Sequence, residues 1–431
     1  MAGAITRPDD VRRQNRGLVL AAIRRKGALS RTDLTAMTGL SASTVSAIAA
    51  GLVAEGVLTE SREGEARASA GQVDSAGVEQ MRQKQKGRGR PQLTLMPNPD
   101  IAKVGVVNLS LNRITVALVD YAGGIIVEET ASVPTRTASG EALLSEIGAM
   151  LRRHLLSTGR EGGRLMHIAM AVQGVTDAAG ENLLWAPIIE ERDIGFGPAL
   201  SRAFGVPVVM ANDCAMLAEA LRWKEPGQYG ADFAAILLSY GIGMGLYLKG
   251  QPFSGSHSSA AEFGHMAYMA RGALCRCGRR GCIEAYAGDY AIWRNAVGMP
   301  DTGPPAASID PAVFTRLAER AREMPGVERE AFHMAGHAIG FGLNNLFSLI
   351  DPVPIALVGP GARVFDLMEP EIRHALSGAG GWDGRHQPAI RCYPHEHPLI
   401  LHGCAMTSLL HLDAEVFSAG ETQRTAETSA A

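Results

Sequence analysis

The chain has 431 residues, of which 46% are hydrophobic, and a formal net charge of −3. This length exceeds what one hydrophobic core usually supports, so we expect two or three domains. The sequence contains no apolar run of bilayer-spanning length and no hydrophobic signal segment near its start, so we expect a cytoplasmic protein without membrane contact. Six cysteines are too few for a disulfide framework and suit a reducing compartment.

The charge is divided unevenly along the chain. Residues 1–97 carry 15 Lys and Arg against 9 Asp and Glu, whereas the remainder carries 26 against 35. A basic head on an acidic body indicates a nucleic-acid-binding module joined to a module that binds a small molecule.

Three helices are predicted at the start of the basic head. The first covers residues 11–26, and its candidate core positions are Leu18, Leu20, Ala22 and Ile23. Ser30 and Asp33 form a capping pair that is typical of the start of a second helix. Ser41 is the predicted cap of a third helix, which continues to about residue 55.

Two extended segments follow these helices, one from about Gly56 and the other at residues 92–95. Three helices and a two-stranded ribbon predict a winged helix-turn-helix, whose third helix enters the major groove of DNA. The alternative is a three-helix protein-interaction module, and the local positive charge argues against it. We assign the domain to residues 1–97, with a disordered wing insertion at about residues 61–86 that is poor in apolar residues.

The third helix has an unusual composition for an element that reads DNA. Residues 41–54 contain no Arg, Lys, Asn or Gln, so the bidentate pairs that distinguish guanine from adenine are missing from it. The predicted DNA contacts on the helices are Arg31, Ser41, Ser43, Thr44 and Ser46, with Arg12, Arg13 and Arg16 as additional phosphate contacts. On the wing, Arg88 and Arg90 flank a glycine in a compact strip that suits a narrow A·T-rich minor groove.

From Lys103 the pattern changes to that of an α/β protein. Predicted strands cover residues 104–108, 113–120, 124–128, 167–172, 208–212, 234–238 and 355–359. Predicted helices cover residues 141–156, 330–350 and a last segment from about 399. Strands ahead of helices, repeated in two halves, predict two lobes around a cleft. We place the first lobe at residues 98–225, completed by a C-terminal helix at about 396–415, and the second lobe at residues 226–395.

The most specific motif of the body lies between Glu262 and Glu284. Its four candidate zinc ligands, which fall within eighteen residues, are His265, Cys275, Cys277 and Cys282. One histidine and three cysteines suffice for a closed tetrahedral site, and the alternative is a set of buried cysteines without a metal. We expect one structural zinc ion per chain, in a loop that presents the two glutamates to a ligand.

A composite of motifs in the body resembles the ROK family of repressors, open reading frames and kinases. It comprises Leu238-Ser-Tyr-Gly-Ile-Gly-Met-Gly245, Glu262-Phe-Gly-His265 and the cysteine cluster that ends at Glu284. The resemblance extends over nearly the whole chain and implies a transcriptional regulator whose body has the actin-like sugar-kinase (ribonuclease H-like) fold. It also implies a sugar effector, a double-stranded DNA operator and a homodimer or larger homo-oligomer. The sugar-binding positions that it implies are Asn212, Asp213, Glu262, His265 and Glu284.

The phosphate-binding loops of the kinases that this family includes are altered here. The first loop reads Asp-x-Gly-Gly-Thr in such kinases, and the matching stretch is Asn108-Leu-Ser-Leu-Asn112. The second loop usually reads Gly-Thr-Gly and is Ser239-Tyr-Gly241, in which the tyrosine would occupy the space of a phosphate. Asp213 matches the catalytic base, and without a phosphoryl donor we expect it only to hold a sugar hydroxyl.

The sequence is compatible with three functions. The sequence favours a sugar-responsive repressor without enzymatic activity. The alternatives are a sugar kinase with an aberrant ATP site and a regulator that is controlled by a protein partner. A phosphorylation assay with sugar and ATP separates the first two, and calorimetry against a panel of sugars tests the third.

Overall fold

The computed structural model describes residues 8–62, 93–255, 261–377 and 387–420. The predicted disordered insertion at 61–86 begins within a strand that ends at Arg62, and the rest of it lies outside the described residues. The same holds for the predicted wing contacts Arg88 and Arg90.

The head has the predicted three helices and antiparallel ribbon. The helices are α1 (Pro8–Lys26), α2 (Arg31–Thr38) and α3 (Ala42–Ala54). The strands are β1 (Leu29–Ser30), β2 (Leu58–Arg62) and β3 (Leu93–Pro97). β3 lies between the other two and is antiparallel to both, so the predicted ribbon is extended by one short strand.

Side-chain caps set the starts of α2 and α3, as predicted. Ser30 Oγ accepts a hydrogen bond from Asp33 N at 3.2 Å, and the Asp33 carboxylate accepts one from Ser30 N at 3.1 Å. Ser41 Oγ accepts from Thr44 N at 3.1 Å. These bonds satisfy backbone N–H groups that have no partner within the helix.

The buried face of α1 differs from the prediction at one position. Leu20 and Ile23 are buried as predicted, whereas Leu18 is 43% exposed and Val19 is completely buried. Successive helical residues are separated by about 100° around the axis, so positions 19, 20 and 23 share one face and position 18 lies on the other.

The first sheet of the body has five strands in the order β10-β7-β4-β5-β6. They are β4 (Ala102–Ser110), β5 (Arg113–Asp120), β6 (Ile125–Ser132), β7 (Arg164–Val172) and β10 (Val208–Asn212). β7 is parallel to both of its neighbours, and β5 is antiparallel to both of its own. A separate pair consists of β8 (Val175–Thr176) and β9 (Leu183–Trp185).

Helices cover both faces of this sheet, which explains why its central strands β4 and β7 are buried on both faces and mostly apolar. They are α4 (Gly140–Thr158), α5 (Phe196–Phe204), α6 (Asp213–Lys224), the short α7 (Pro226–Tyr229) and α13 (His397–His411). Val107 and Leu109 of β4 pack with α4 and α5, whereas Val104 and Val106 pack with α6 and α13. This alternation follows the two-residue period of a strand.

The second sheet has the order β13-β12-β11-β14-β15. Its strands are β11 (Phe233–Leu238), β12 (Ile242–Leu248), β13 (Gln251–Pro252), β14 (Ile355–Val358) and β15 (Ile390–Tyr393). Its helices are α8 (Glu284–Ala287), α9 (Asp289–Ala296), α10 (Pro311–Glu323), α11 (Val327–Ile350) and α12 (Phe365–Ser377), with 3-10 turns at Phe263–His265 and Pro360–Val364. The predicted strands near 234–238 and 355–359 and the helix near 330–350 are confirmed.

Helix α6 contacts both sheets, and two glycines of β12 allow its close approach. A Cβ atom on Gly243 would lie 2.5 Å from Cys214 Sγ, and one on Gly245 would collide with the Cys214 carbonyl. The packing therefore holds the first turn of α6 at the boundary between the sheets.

Within the described part of the chain, no single helix is long and apolar enough to cross a membrane. The bent pair α2 and α3 passes such a test on length and composition alone.

Candidate ligand cleft and metal centre

A cavity of about 500 Å³ opens at the N-terminus of α6, between the two sheets. All five predicted sugar positions line it, namely Asn212, Asp213, Glu262, His265 and Glu284. They come from three separate places: the junction of β10 and α6, the 3-10 turn before the cysteine cluster, and the start of α8. The fold thus brings together polar side chains from both halves of the body.

Asn212 and Asp213 connect strand β10 to helix α6. Asn212 Oδ1 accepts from Cys214 N at 2.8 Å as a helix cap, while its Nδ2 donates to the Gly174 carbonyl at 2.8 Å. Asp213 is only 6% exposed, and this burial raises the pKa of its carboxyl to about 6. A ligand hydroxyl that donates to this carboxylate would replace hydration that burial removes.

The two glutamates differ in how firmly the fold holds them. Glu284 is buried, and its Oε2 accepts from Ile242 N at 3.0 Å. Gly241 allows this contact, because a Cβ atom there would lie 2.8 Å from the same oxygen. The side chain of Glu262 is 40% exposed, and partial burial raises its pKa. Glu262 is therefore the more accessible of the two acceptors.

The predicted metal ligands converge in space. One ligand atom from each of His265, Cys275, Cys277 and Cys282 lies within 4.8 Å of the others. The two sulfurs of Cys277 and Cys282 are 3.8 Å apart, and Cys275 Sγ lies 3.7 Å from His265 Nδ1. A tetrahedral zinc ion with Zn–S bonds of about 2.3 Å places its sulfur ligands about 3.8 Å apart. The four side chains therefore fit a small tetrahedral metal ion.

The surroundings of the cluster also fit a metal ion. His265 directs Nδ1 toward Cys275, while its Nε2 lies 3.8 Å from the Glu262 carboxylate, an arrangement that orients metal-binding histidines. A hydrogen bond with Cys282 and burial raise the pKa of the Cys275 thiol. A bound cation would reverse this shift, because cysteine binds metals as the thiolate.

Gln173 and Arg276 also line the cleft and were not predicted from the sequence. Gln173 directly follows β7, which is parallel to β10, so the shared carboxyl edge of these strands could have predicted it. Arg276 stands between two of the cysteines. Its guanidinium lies 3.9 Å from the ring centroid of Tyr240 and 3.1 Å from Asp289. No pattern in the sequence pairs the arginine with this tyrosine.

Residues 108–112, compared above with the first kinase phosphate loop, and two glycines after β14 have structural roles in this protein. Residues 108–112 form the end of β4 and a tight turn into β5, with Asn112 at a φ of +55°. A Cβ atom on Gly359 would lie 2.8 Å from the Leu238 carbonyl, and one on Gly361 would lie 2.5 Å from Leu238 Cβ. These glycines are required by the close approach of β11.

The predicted DNA contacts on the helices have different environments. Ser43 and Ser46 are exposed on α3, whereas Thr44 is half-buried and the Ser41 oxygen caps the helix. Arg31 forms an ion pair with the Glu60 carboxylate. The exposed hydroxyls are therefore the part of the predicted set that is most open to DNA.

The prediction that Arg16 contacts phosphate is wrong. Its side chain is buried, and it donates to both carboxylate oxygens of Glu55 at 2.8 and 2.7 Å and to the Phe417 carbonyl at 2.8 Å. Arg13 forms an ion pair with Glu415, whereas Arg12 is exposed. The inward face of α1 thus binds residues 415–417, which follow the last helix of the body.

Comparison with known proteins gives one family and two kinds of relative. Residues 104–378 match the family model described as the ROK family. The xylose repressor of Caldicellulosiruptor bescii is 25% identical over 371 residues, which cover 84% of this chain and 87% of the relative. The regulator NagC of Escherichia coli K12 is 22% identical over 86% of each chain. The glucokinase of Streptomyces coelicolor is 27% identical over 64% of this chain and 88% of its own.

Similar solved structures also include both transcriptional regulators and sugar kinases. A ROK family transcriptional regulator, described as a homolog of the E. coli MLC protein, superimposes with a TM-score of 0.74 over 95% of this chain and 99% of its own at 20% identity. A ROK family glucokinase from Streptomyces griseus reaches 0.57 over 71% of this chain and 99% of its own at 23% identity. These likenesses show the sugar-kinase-like fold of the body. The regulator is matched over more of this chain than the glucokinase.

Proposed function

The chain belongs to the ROK family, and we propose that it is a DNA-binding transcriptional repressor that responds to a sugar or sugar derivative in the cleft. The observation that carries this proposal is the presence, on one chain, of a winged helix-turn-helix and a cleft lined by clustered polar groups. The relatives matched over more than four fifths of this chain include proteins named as repressors. Those named as glucokinases are matched over a smaller share.

The cleft suits a polyhydroxylated ligand. Each sugar hydroxyl donates one hydrogen bond and accepts others, so it needs acceptors and donors at close range. Asp213 and Glu262 would accept from hydroxyls, while Gln173 and His265 would complete the set. Glu284, held by the backbone of β12, would fix the position of that strand beside the ligand.

The metal cluster would hold one structural zinc ion. Its ligands would be His265, Cys275, Cys277 and Cys282. The ion would tie the cysteine loop to the 3-10 turn that carries Glu262, so that metal binding and the shape of the cleft depend on each other.

We further propose that the chain binds its sugar without phosphorylating it. The stretch at residues 108–112 lacks the acid, glycines and threonine that hold ATP phosphates in related kinases, and Tyr240 stacks on Arg276 at the second phosphate position. A homodimer or larger homo-oligomer would place two winged helices on a symmetric operator.

Glu262→Gln tests the proposal, because it keeps the size of the side chain and removes its charge. The operator probe is a duplex selected from a random library by the parent protein, and the effectors are xylose, glucose and N-acetylglucosamine. We expect at least one sugar to change the DNA affinity of the parent by about 5–150-fold. The variant should lose this response and keep its sugar-free DNA affinity.

Two controls accompany this experiment. Glu141→Gln changes an exposed glutamate of α4 and should respond like the parent. A phosphorylation assay with ATP and each sugar should show no turnover. A parent whose DNA affinity no sugar alters, or a Glu262→Gln protein that responds normally, would remove the cleft from the sensing role.

A further inference from the structure

A buried ion pair joins the DNA-binding head to the turn that follows α13. Arg24 of α1 donates from Nε and Nη2 to the two carboxylate oxygens of Asp413, both at 2.9 Å. The hydroxyl of Tyr121, in the turn after β5, donates to the same carboxylate at 2.5 Å. The Arg24 and Asp413 side chains are 5% and 6% exposed, so solvent hardly screens the pair.

A second buried arginine connects this region to the recognition helix. Arg16 donates to Glu55, which follows the last residue of α3, and also to the Phe417 carbonyl. One guanidinium therefore contacts both the end of the predicted DNA-reading helix and the end of the body. We call Arg16, Arg24, Tyr121, Asp413 and Phe417 the C-terminal joint.

The C-terminal joint is continuous with helices that reach the cleft. Asp413 and Phe417 belong to a π-helical turn, Leu412–Phe417, that extends α13 directly. α13 packs closely on α6, since a Cβ atom on Gly403 would collide with the Met216 carbonyl. α6 in turn begins at the cleft residue Asp213. A packed path therefore runs from the ligand cavity through two helices to the recognition helix.

We propose that the C-terminal joint transmits the state of the cleft to the DNA-binding head. This inference rests on the proposed sugar-responsive function and names the structural element that performs it. A buried, bidentate pair resists separation, because each side chain would keep its hydrogen bonds to Tyr121 but lose the opposite charge that offsets its burial. Movement of α6 and α13 on ligand binding thus has to carry α1 with it. The π-helical turn Leu412–Phe417 lies where the end of α13 meets α1.

Asp413→Asn tests the inference, because it removes the charge and keeps the shape. Tyr121→Phe is a milder second variant that deletes a single hydrogen bond to the same carboxylate. Glu415→Gln is the matched control, since its ion pair with Arg13 lies on the same turn and is exposed. The probes are the selected duplex and the three sugars, with hydrogen exchange measured on residues 16–24 and 412–418.

Coupling between two sites is reciprocal, which provides a readout that a purely structural role would not change. In the parent and in Glu415→Gln, the factor by which sugar changes DNA affinity should equal the factor by which DNA changes sugar affinity. In Asp413→Asn both factors should fall to within about twofold of one, while sugar affinity without DNA is kept. Tyr121→Phe should give an intermediate factor. The amides of residues 412–418 should exchange faster in Asp413→Asn than in the parent.

The outcomes separate this inference from the proposed function. If the parent and Asp413→Asn respond equally to sugar, the C-terminal joint does not transmit the signal, while the proposed sugar-responsive function still holds. Unchanged hydrogen exchange in Asp413→Asn also overturns it. A parent that responds to no sugar overturns the proposed function, and the inference with it.

Discussion

The cleft and the DNA-binding head differ in where their charged side chains point. In the cleft, Asp213 and Glu262 face a cavity that a ligand can enter. In the head, Arg16 and Arg24 point inward and pair with carboxylates of the same chain. A surplus of basic residues in the sequence is therefore not equivalent to a basic DNA-binding surface. On α3 the exposed side chains that can bond to DNA are small hydroxyls, whereas the cleft offers its ligand charge.

The strongest test of this contrast is removal of the metal, which should abolish the sugar response of the cleft and leave DNA binding by the head unchanged. Cys277→Ser should lose the one zinc ion per chain that we expect, as measured by elemental analysis. Because metal binding contributes directly to folding, the free energy of unfolding should fall by about 3 kcal/mol or more. The sugar response should disappear, while sugar-free binding of the selected duplex persists.

Cys392→Ser is the matched control for this experiment, since Cys392 is an exposed cysteine outside the cluster. It should keep the metal and the response. Stoichiometric zinc in a variant that lacks Cys275, Cys277 and Cys282 together would contradict the assignment.

The second test concerns the cost of keeping a buried charge in the cleft. Folding raises the pKa of Asp213 from its usual 3.8 to about 6, so the folded protein holds this proton more tightly than the unfolded chain. The ionised carboxylate therefore lowers the free energy of unfolding above pH 6, and this effect disappears below about pH 4. Asp213→Asn should raise the free energy of unfolding by about 1–3 kcal/mol at pH 7.5, because each pKa unit corresponds to about 1.4 kcal/mol.

Urea unfolding of the parent and of Asp213→Asn at pH 7.5 and pH 4 measures this difference. The gain should shrink toward zero at the lower pH, and the variant should bind sugar more weakly. If the parent and Asp213→Asn had equal free energies of unfolding at pH 7.5, neighbouring groups would already compensate the buried charge of Asp213.

The elements and sites that could be predicted are those whose signal is local in sequence. The Ser30–Asp33 capping box and the Ser41 cap are local, and so is the cysteine cluster, since all four ligands lie within one loop region. The apolar runs of β4 and β7 were also recognisable, because both faces of these strands are buried.

The features that could not be predicted depend on contacts between distant parts of the chain. Arg16 was predicted to contact phosphate because it belongs to a basic cluster. Its actual partners, Glu55 and Phe417, lie far from it in the sequence, so no local pattern indicates them. Gly243 and Gly245 were recognised only as part of the motif that resembles the ROK family, and the structure shows that they admit helix α6. Such roles follow from packing and leave no periodic signal.

A third test asks whether the wing supplies the positive charge that α3 lacks. Arg88 and Arg90 lie outside the described residues, and their role as minor-groove contacts is a prediction from sequence. Replacing both with alanine should weaken binding of the selected duplex and reduce the log–log salt slope by about 1 for each lost phosphate contact. The preference for A·T-rich flanks should also decline.

Arg160→Ala, an exposed arginine of the body, is the control for the loss of charge alone and should leave the slope unchanged. If the wing variant kept the parent's affinity and slope, the described helices would have to supply the phosphate contacts.

The smallest expected effects separate two serines at one end of the recognition helix. Ser41 caps α3, so Ser41→Ala should lower the free energy of unfolding by about 0.5–2 kcal/mol. Ser46 is exposed on α3, so Ser46→Ala should change stability by less than about 0.5 kcal/mol. Loss of one hydrogen bond to DNA should weaken binding by about 0.5–1.5 kcal/mol in Ser46→Ala. Urea unfolding and fluorescence titration with the selected duplex measure the two quantities. If Ser46→Ala left DNA affinity unchanged, the exposed hydroxyls of α3 would not contact DNA, and binding would depend on the wing and on backbone groups at the start of the helix.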